Sequence, residues 1–366
     1  MRRLFAARLQ HVDRPARRTR RPRRRAGLAV VAVATLAAGC SAAGAPGPAP
    51  SGAACTLGDL AVPTCGLLWG VAAKPPGLDT VQSIEAKVGR PFDIVYRYHD
   101  LFDSIPDKAE KDVLAAGKVL HISIATRDFG GTRPGTYTWA EVAKGTFDES
   151  LRAQARGIAS IGKPVYLTFE QEASQQAKVD RLGPAADFVA AWRHLHELYA
   201  QEGVKNAVWV WVMTGAADNL QNAAQLWPGN ELVDWISWNV YNQSGCKSGE
   251  ISVDKYVSFA DKMRVFYDWV HTDGPALGID TTKPMMISET GSARYTNDLA
   301  KTAEWYASIP TVLEKYPQIR AVTLWASVDA TDTACSYTFY DDATLSAGVR
   351  RAVTSGSVNV AKVTLP

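Results

Sequence analysis

The run Lys163-Pro-Val-Tyr-Leu-Thr-Phe-Glu-Gln-Glu172 decides how the chain is read. Val165, Leu167 and Phe169 alternate with Tyr166, Thr168 and Glu170. That period of two predicts a β-strand with one apolar and one polar face. The strand ends abruptly in carboxylates. A second strand-like run, Lys283-Pro-Met-Met-Ile-Ser-Glu289, ends in a carboxylate as well. Two strands that each deliver a glutamate at their C-terminal end suggest paired carboxylate chemistry.

Working outward, strand-like and helix-like runs alternate on both sides of this segment. Before it come strands at Leu67–Ala73, Phe92–His99 and Val119–Arg127, then a helical spacing over Phe147–Ile161. After it come a helix at Ala185–Glu202, strands at Asn206–Met213 and Trp235–Tyr241, and a helix at Val253–His271. The strand Met285–Glu289, a helix at Leu299–Lys315 and the strand Ala321–Ala326 complete the series. Eight strands with intervening helices predict the α/β class and a (β/α)8 TIM barrel. Strands four, five and six each carry a branched aliphatic face, suited to the helix layer, and a polar or aromatic face, suited to the barrel interior. The runner-up, a doubly wound open sheet, lacks its usual nucleotide-binding reason, because no Gly-x-Gly-x-x-Gly follows any strand.

The amino-terminal region has a different composition. Eleven of the 40 basic residues and one of the 37 acidic ones lie in residues 1–39, so the remainder carries a net charge of −7. An acidic body gives no support to nucleic-acid binding. Arg17 to Arg25 read as the basic region of an export signal, and Ala26 to Ala38 as its short apolar core. Leu36-Ala-Ala-Gly-Cys40 resembles a bacterial lipobox, which predicts cleavage before Cys40 and lipidation of its thiol. We therefore read 1–39 as a lipoprotein signal peptide, 40–54 as a flexible Ala/Gly/Pro/Ser tether and 55–366 as one catalytic domain. The protein is expected to be exported, either lipid-anchored at the cell surface or secreted. Four cysteines remain, Cys55, Cys65, Cys246 and Cys335. An even number outside the cytoplasm suggests two disulfides, with three possible pairings. Cys55–Cys65 is the local choice and would leave Cys246–Cys335. A four-cysteine zinc site competes, but no Cys-x-x-Cys spacing exists.

In a (β/α)8 barrel, chemistry sits at the C-terminal ends of the strands. There the sequence offers His99 and Asp100, Arg127 and Asp128, Glu170 to Glu172, Tyr241 and Asn242, Glu289, and Trp325 and Asp329. Carboxylates mixed with aromatics suit a sugar: aromatic faces stack on pyranose C–H faces, and a carboxyl pair performs glycoside hydrolysis. Asp329, Asp332, Asp341 and Asp342 do not match a helix–loop–helix calcium loop, so no metal is expected. No cofactor is expected either.

The motifs together resemble glycoside hydrolase family 26 over about residues 67–345. The family's strand-four motif ends His-Glu, matched here by Gln171-Glu172, and its strand seven delivers a Glu, matched by Glu289 in Ile287-Ser-Glu-Thr-Gly291. Its strand six often ends Gly-Tyr-Asn, and Val233-Asp-Trp-Ile-Ser-Trp-Asn-Val-Tyr-Asn242 is similar with Val240 in place of Gly. The resemblance implies a monomeric, retaining, endo-acting β-glycanase, with Glu172 as acid/base and Glu289 as nucleophile. Mannan is the commonest substrate of that family; mixed-linkage β-glucan and β-1,3-xylan are others. It also implies that Tyr241 hydrogen-bonds the nucleophile and keeps it ionised, and that Trp325 floors the subsite of the attacked sugar. Trp211 is expected to add a wall, with Gln171 and His99 as further substrate contacts. Gln171 departs from the family's His; an amide cannot titrate, so any tuning the His would supply is absent. Glu170 has two readings: a like charge that raises the proton affinity of Glu172, or a partner of a barrel cation such as Arg127. Two other functions compete: a carbohydrate-binding lipoprotein without efficient catalysis, and a solute-binding lipoprotein feeding a transporter.

Overall fold

The computed structural model describes residues 55–130, 137–327, 335–359 and 363–365, all within one compact unit. Cys40, the segments 1–39 and 40–54, and Asp329 and Asp332 lie outside the described residues. Eight strands close a parallel barrel in chain order. They are β1 (Leu68–Ala73), β2 (Ile94–His99), β3 (Val119–Ile124) and β4 (Val165–Phe169). β5 (Ala207–Thr214), β6 (Trp235–Asn242), β7 (Met285–Ser292) and β8 (Ile319–Ala326) follow. β8 closes on β1 from Leu68 against Ala321 to Ala73 against Ala326. The predicted barrel is therefore present.

Among the described residues, helices α1 (Leu78–Val88), α2 (Lys108–Ala115), α3 (Trp139–Ala143), α4 (Asp148–Ile161), α5 (Gln176–Leu182), α6 (Ala185–Gln201), α7 (Leu220–Gln225), α8 (Phe259–Thr272), α9 (Leu299–Ala307), α10 (Ile309–Leu313) and α11 (Ala343–Val353) cover the outside. The longer ones each bury one stripe. In α6 (Ala185–Gln201) the buried residues are Phe188, Ala191, Trp192, Leu195, Leu198 and Tyr199, the three-and-four spacing of one helix face. Two predicted helices are interrupted. The run expected over Val253–His271 is a 3-10 turn at Val253–Lys255 and then α8 (Phe259–Thr272), whose start is fixed by Ser258 Oγ accepting from Asp261 N. The run expected over Leu299–Lys315 is α9 (Leu299–Ala307) and α10 (Ile309–Leu313). Pro310 has no N–H to continue the ladder, so the helix breaks at Ser308.

Inside the barrel the closed end is apolar. Leu68, Ile94, Tyr166, Val208, Val210, Trp235, Met286 and Ala321 pack together there with Cys55, Ala61 and Val363. The 3-10 turn Asp59–Ala61 plugs this end: Tyr166 Oη donates to Ala61 O at 2.5 Å and Trp235 Nε1 to Leu60 O at 2.8 Å. A disulfide joins Cys55 to Cys65 beside the plug. A two-residue strand at Cys55–Thr56 pairs with Val363–Thr364.

The faces of β4 and β6 lie as expected, but those of β5 are reversed. Val208, Val210 and Val212 point inward, while Trp209, Trp211 and Met213 join the core between barrel and helices. Tyr166 and Trp235 already fill the interior at this level, so it admits only small β-branched neighbours. The indoles have room outside, where Trp211 packs edge-on against Trp227 at 5.1 Å. Alternation defines two faces of a strand but does not say which one faces in.

Candidate active site

The open end of the barrel carries the carboxylates, and each is delivered by a break in strand geometry. β4 stops at Phe169, and Glu170 and Glu172 adopt left-handed φ values of 53° and 55°. Such a backbone costs a non-glycine residue on the order of 1–3 kcal/mol and persists only where the surroundings enforce it. The surroundings do so here. Glu170 N donates to Ile124 O of β3 at 2.8 Å, and Glu172 N to Val212 O of β5 at 2.9 Å. The triplet thus stays stitched to both neighbouring strands after the regular ladder has ended.

Glu289 is delivered by a bulge. Met286 faces in and Ile287 faces out, so Ser288 faces in and regular alternation would turn Glu289 outward into the helix layer. Instead the register slips: Trp238 of β6 pairs with Ile287, and Asn239 with Glu289, passing over Ser288. The pairing with β8 shows the same extra residue of β7, since Ile287 to Thr290 opposes Val322 to Leu324. Ser288 and Glu289 therefore share the interior, with Ser288 Oγ 2.5 Å from Ser237 Oγ. A bulge of this kind re-aims a side chain next to a site.

The Glu289 carboxylate is 8% exposed and held at both oxygens. Tyr98 Oη donates to Oε1 and Tyr241 Oη to Oε2, each at 2.8 Å. Burial pushes the carboxyl up, the charge of Glu172 pushes it further, and the two phenols and Lys178 pull it back, leaving it at about 7. The hydrogen bond expected from Tyr241 is present. Its counterpart Tyr98 is an addition that the sequence could have offered, since Tyr98 shares strand parity with the inward-facing Ile94. Trp325 is half-buried beside them, edge-on to Tyr98 at 5.7 Å, with Lys74 Nζ 5.5 Å from its ring centre.

Glu172 is partly exposed, and its Oε2 accepts from Gln175 Nε2. Its charge acts on Glu289, so the two carboxyls of β4 and β7 share one mouth. Gln171 accepts from Ser123 Oγ at 2.5 Å through Oε1. Glu170 is buried and its partner is not Arg127. Lys178 Nζ of α5 (Gln176–Leu182) donates to its Oε1 at 2.8 Å, and Thr126 N to its Oε2 at 2.7 Å. Burial alone would push Glu170 up; Lys178 and Thr126 together hold it below the ordinary carboxylate range. Glu170 is an ion-paired charge, so the reading in which its free charge works on Glu172 is set aside.

Two expected substrate contacts lie elsewhere. Trp211 is fully buried on the helix side of β5, where its Nε1 donates to Leu226 O at 3.0 Å. His99 points outward from β2, because the inward parity of that strand belongs to Ile94, Tyr96 and Tyr98. Its Nε2 lies 2.5 Å from Glu110 Oε1, inside a buried cluster with Arg97 and Asp107 on α2 (Lys108–Ala115) and its cap. Neither side chain reaches the mouth.

Below the mouth, His121 stacks on Tyr96 at 3.9 Å, and its Nε2 lies 2.9 Å from Thr168 Oγ1, which itself donates to Val210 O. Nε2 is therefore the protonated nitrogen, and burial holds this histidine neutral, near 3. At the rim a second disulfide, Cys246–Cys335, ties the loop after β6 to the segment after β8. Beside it Tyr337 packs on Tyr241 at 4.8 Å. Asp341 pairs with Arg294, and Asp342 caps α11 (Ala343–Val353), so both have structural partners. Among the described residues no group of three or more His, Cys, Asp or Glu could hold a metal ion.

No family model matches the chain. Solved structures of the same architecture include a glycoside hydrolase family 26 β-mannanase from Bacteroides ovatus, at 14% identity and a TM-score of 0.59, covering 80% of this chain and 90% of that one. The family 26 domain of a Prevotella bryantii endo-β-mannanase/endo-β-glucanase is similar at 12% identity and a TM-score of 0.55, covering 80% of this chain and 90% of that domain. The catalytic domain of a Bacillus family 26 endo-β-1,4-mannanase matches at 14% identity and 0.55, covering 82% and 91%. This likeness is one of fold, a family-26-type barrel. In sequence the chain is 24% identical to Endoglucanase H of Acetivibrio thermocellus over 253 residues, 66% of this chain and 26% of that protein. It thus spans about a quarter of the length of that relative.

Proposed function

We propose that the protein is a retaining glycoside hydrolase that cleaves internal β-glycosidic bonds of a polysaccharide, β-mannan first among the candidates. The observation that carries this reading is the Glu289 carboxylate, turned into the mouth by a bulge, fixed at both oxygens by Tyr98 and Tyr241, and facing the charge of Glu172. A carboxylate so held has its free lone pairs directed, which is what attack on an anomeric carbon needs. Glu289 attacks C1 of the sugar while Glu172 gives its proton to the departing glycosidic oxygen. Water then enters, Glu172 takes its proton, and the glycosyl–Glu289 ester is released. Because the two groups interact, the pair binds one proton more tightly than two independent carboxyls would. The two phenolic hydrogen bonds favour ionised Glu289, the form that attack on C1 requires. Trp325 offers an apolar face for the attacked sugar. The β-mannanases and the endoglucanase named above support a β-linked glucan or mannan as the polymer.

The two disulfides fit an oxidising compartment. We extend this to export with a lipid on Cys40, which mass spectrometry of the mature protein, beside Cys40→Ala, would check. The test of activity is reducing-end release from a panel of β-mannans, β-glucans and xylans, with Glu289→Gln alongside. Activity on one polymer that collapses in the variant is the expected result. Equal activity in both would remove Glu289 as nucleophile. Glycan binding without turnover by the wild type would replace the enzyme reading with a binding one.

A further inference from the structure

We propose that the buried Glu170–Lys178 pair is a positioning clamp, which fixes the turn at the end of β4 and thereby aims the Glu172 carboxyl at the leaving oxygen. This rests on the reading of Glu172 as acid/base. Glu170 is 2% exposed and carries no chemistry of its own, since both oxygens are occupied by donors. A buried carboxylate is retained where it is paired, and here the pairing spans three elements. Thr126 follows β3, Glu170 ends β4, and Lys178 lies on α5.

Lys178 does more than neutralise Glu170, because Nζ also donates to the carbonyl of Gln171. That carbonyl lies between the two left-handed residues, so the ammonium grips the turn at its centre. Ser123 holds the Gln171 side chain from the other side, and the N–H groups of Glu170 and Glu172 bond to opposite neighbouring strands. Glu170 is buried and the Gln171 side chain is tied to Ser123, which leaves the Glu172 carboxyl as the acid of this fixed triplet that is partly exposed at the mouth. Releasing Lys178 frees the Gln171 carbonyl and leaves Glu170 buried and unpaired, so the turn relaxes and Glu172 swings off its line. Lys178 pairs with Glu170 and also acts on Glu289, whose carboxyl it helps hold down.

A merely structural ion pair and a positioning clamp differ in one readout. Proton donation is required when the leaving group is a sugar hydroxyl. It is dispensable when the leaving group is a dinitrophenolate, which departs as the anion while Glu289 forms its bond to C1. General acid help contributes factors of roughly a hundred to ten thousand to the former. The experiment compares kcat/KM of wild type, Lys178→Met and Glu170→Gln on an unsubstituted oligosaccharide and on the 2,4-dinitrophenyl β-glycoside of the same sugar. The sugar is the one the polymer panel selects. Lys178→Met should lose roughly 30-fold more on the oligosaccharide than on the dinitrophenyl glycoside, the loss of its help to Glu289 being common to both substrates. Glu170→Gln, nearly isosteric, should show the same selective loss on the oligosaccharide, smaller in size, and it carries the test if Lys178→Met does not fold. Equal losses on both substrates, or no loss on either, overturn the clamp. Glu172→Gln and Glu289→Gln run beside them. If Glu172→Gln spares the dinitrophenyl glycoside, Glu289→Gln loses both substrates and Lys178→Met loses both equally, only the clamp fails. If Glu289→Gln leaves both rates unchanged, the catalytic reading itself fails.

Discussion

Replacing Glu289 by Gln should make the protein more stable, and more so as the pH rises. The native carboxyl is raised from an ordinary 4.5 to about 7. Between those values the native state holds a proton that the unfolded chain has released. A raised group contributes stability that is fully present below 4.5 and is lost as the pH climbs through about 7. Each pKa unit corresponds to about 1.4 kcal/mol, so ionised Glu289 destabilises the fold by at most roughly 3 kcal/mol at pH 8. Part of the rise comes from the charge of the partly exposed Glu172, which solvent screens, so that figure is an upper bound. Gln keeps the shape and a carbonyl acceptor but never ionises. The assay is equilibrium urea unfolding of wild type and Glu289→Gln at pH 4 and pH 8. Taking the variant-minus-wild-type difference at each pH cancels the titrating groups that do not interact with Glu289, and comparing the two pH values removes any pH-independent loss of hydrogen bonding to Tyr98 or Tyr241. That difference should move in favour of the variant by about 1–3 kcal/mol from pH 4 to pH 8. A difference that is the same at both pH values, or that moves against the variant, would refute the argument that burial and Glu172 raise this carboxyl.

Three further outcomes follow from the same geometry. Tyr98→Phe removes one of two hydrogen bonds that favour ionised Glu289, so the acid limb of the kcat/KM profile should move up by about one pH unit, with a loss of roughly tenfold at pH 6 and little at pH 8; an unmoved limb would place Tyr98 outside the reaction. Trp325→Ala should lower kcat/KM on polymer by roughly tenfold or more with a small change in Tm, whereas Trp211→Phe should cost about 1–2 kcal/mol of stability and leave kcat/KM nearly intact, as unfolding and steady-state kinetics would register. Replacing Cys246 and Cys335 together by Ser opens a loop spanning 89 residues and should cost on the order of 4 kcal/mol in denaturant. It should also reduce activity, because Tyr337 then loses its fixed seat against Tyr241.

The barrel was legible because eight strand-like apolar runs, several of them alternating, recur with helical or loop segments between them, and closure buries them. The carboxyl-bearing strand ends were legible for the same reason. Four features of the site were not. The bulge that turns Glu289 inward has no signature in Ile287-Ser-Glu-Thr-Gly291, since alternation alone sends that glutamate outward. The partner of Glu170 comes from the following helix, eight residues along, where Lys178 resembles any surface lysine. The faces of β5 were exchanged because aromatic residues suit a sugar site and a helix interface equally well, and only the space left by Tyr166 and Trp235 decides between them. His99 lies one residue of parity away from the mouth, and Tyr98 beside it holds that position.

The plugged end has a practical consequence. The two-residue strands Cys55–Thr56 and Val363–Thr364 lie side by side at the apolar pole, with the carboxylates at the other. A linker or solid support attached near either strand would leave the reactive pole unobstructed. Because the two strands are neighbours, a short peptide could join them and new ends could be opened in an exposed outer loop. Such a circular permutant, or a resin-bound preparation held by that pole, should turn over large polymers as freely as the parent molecule.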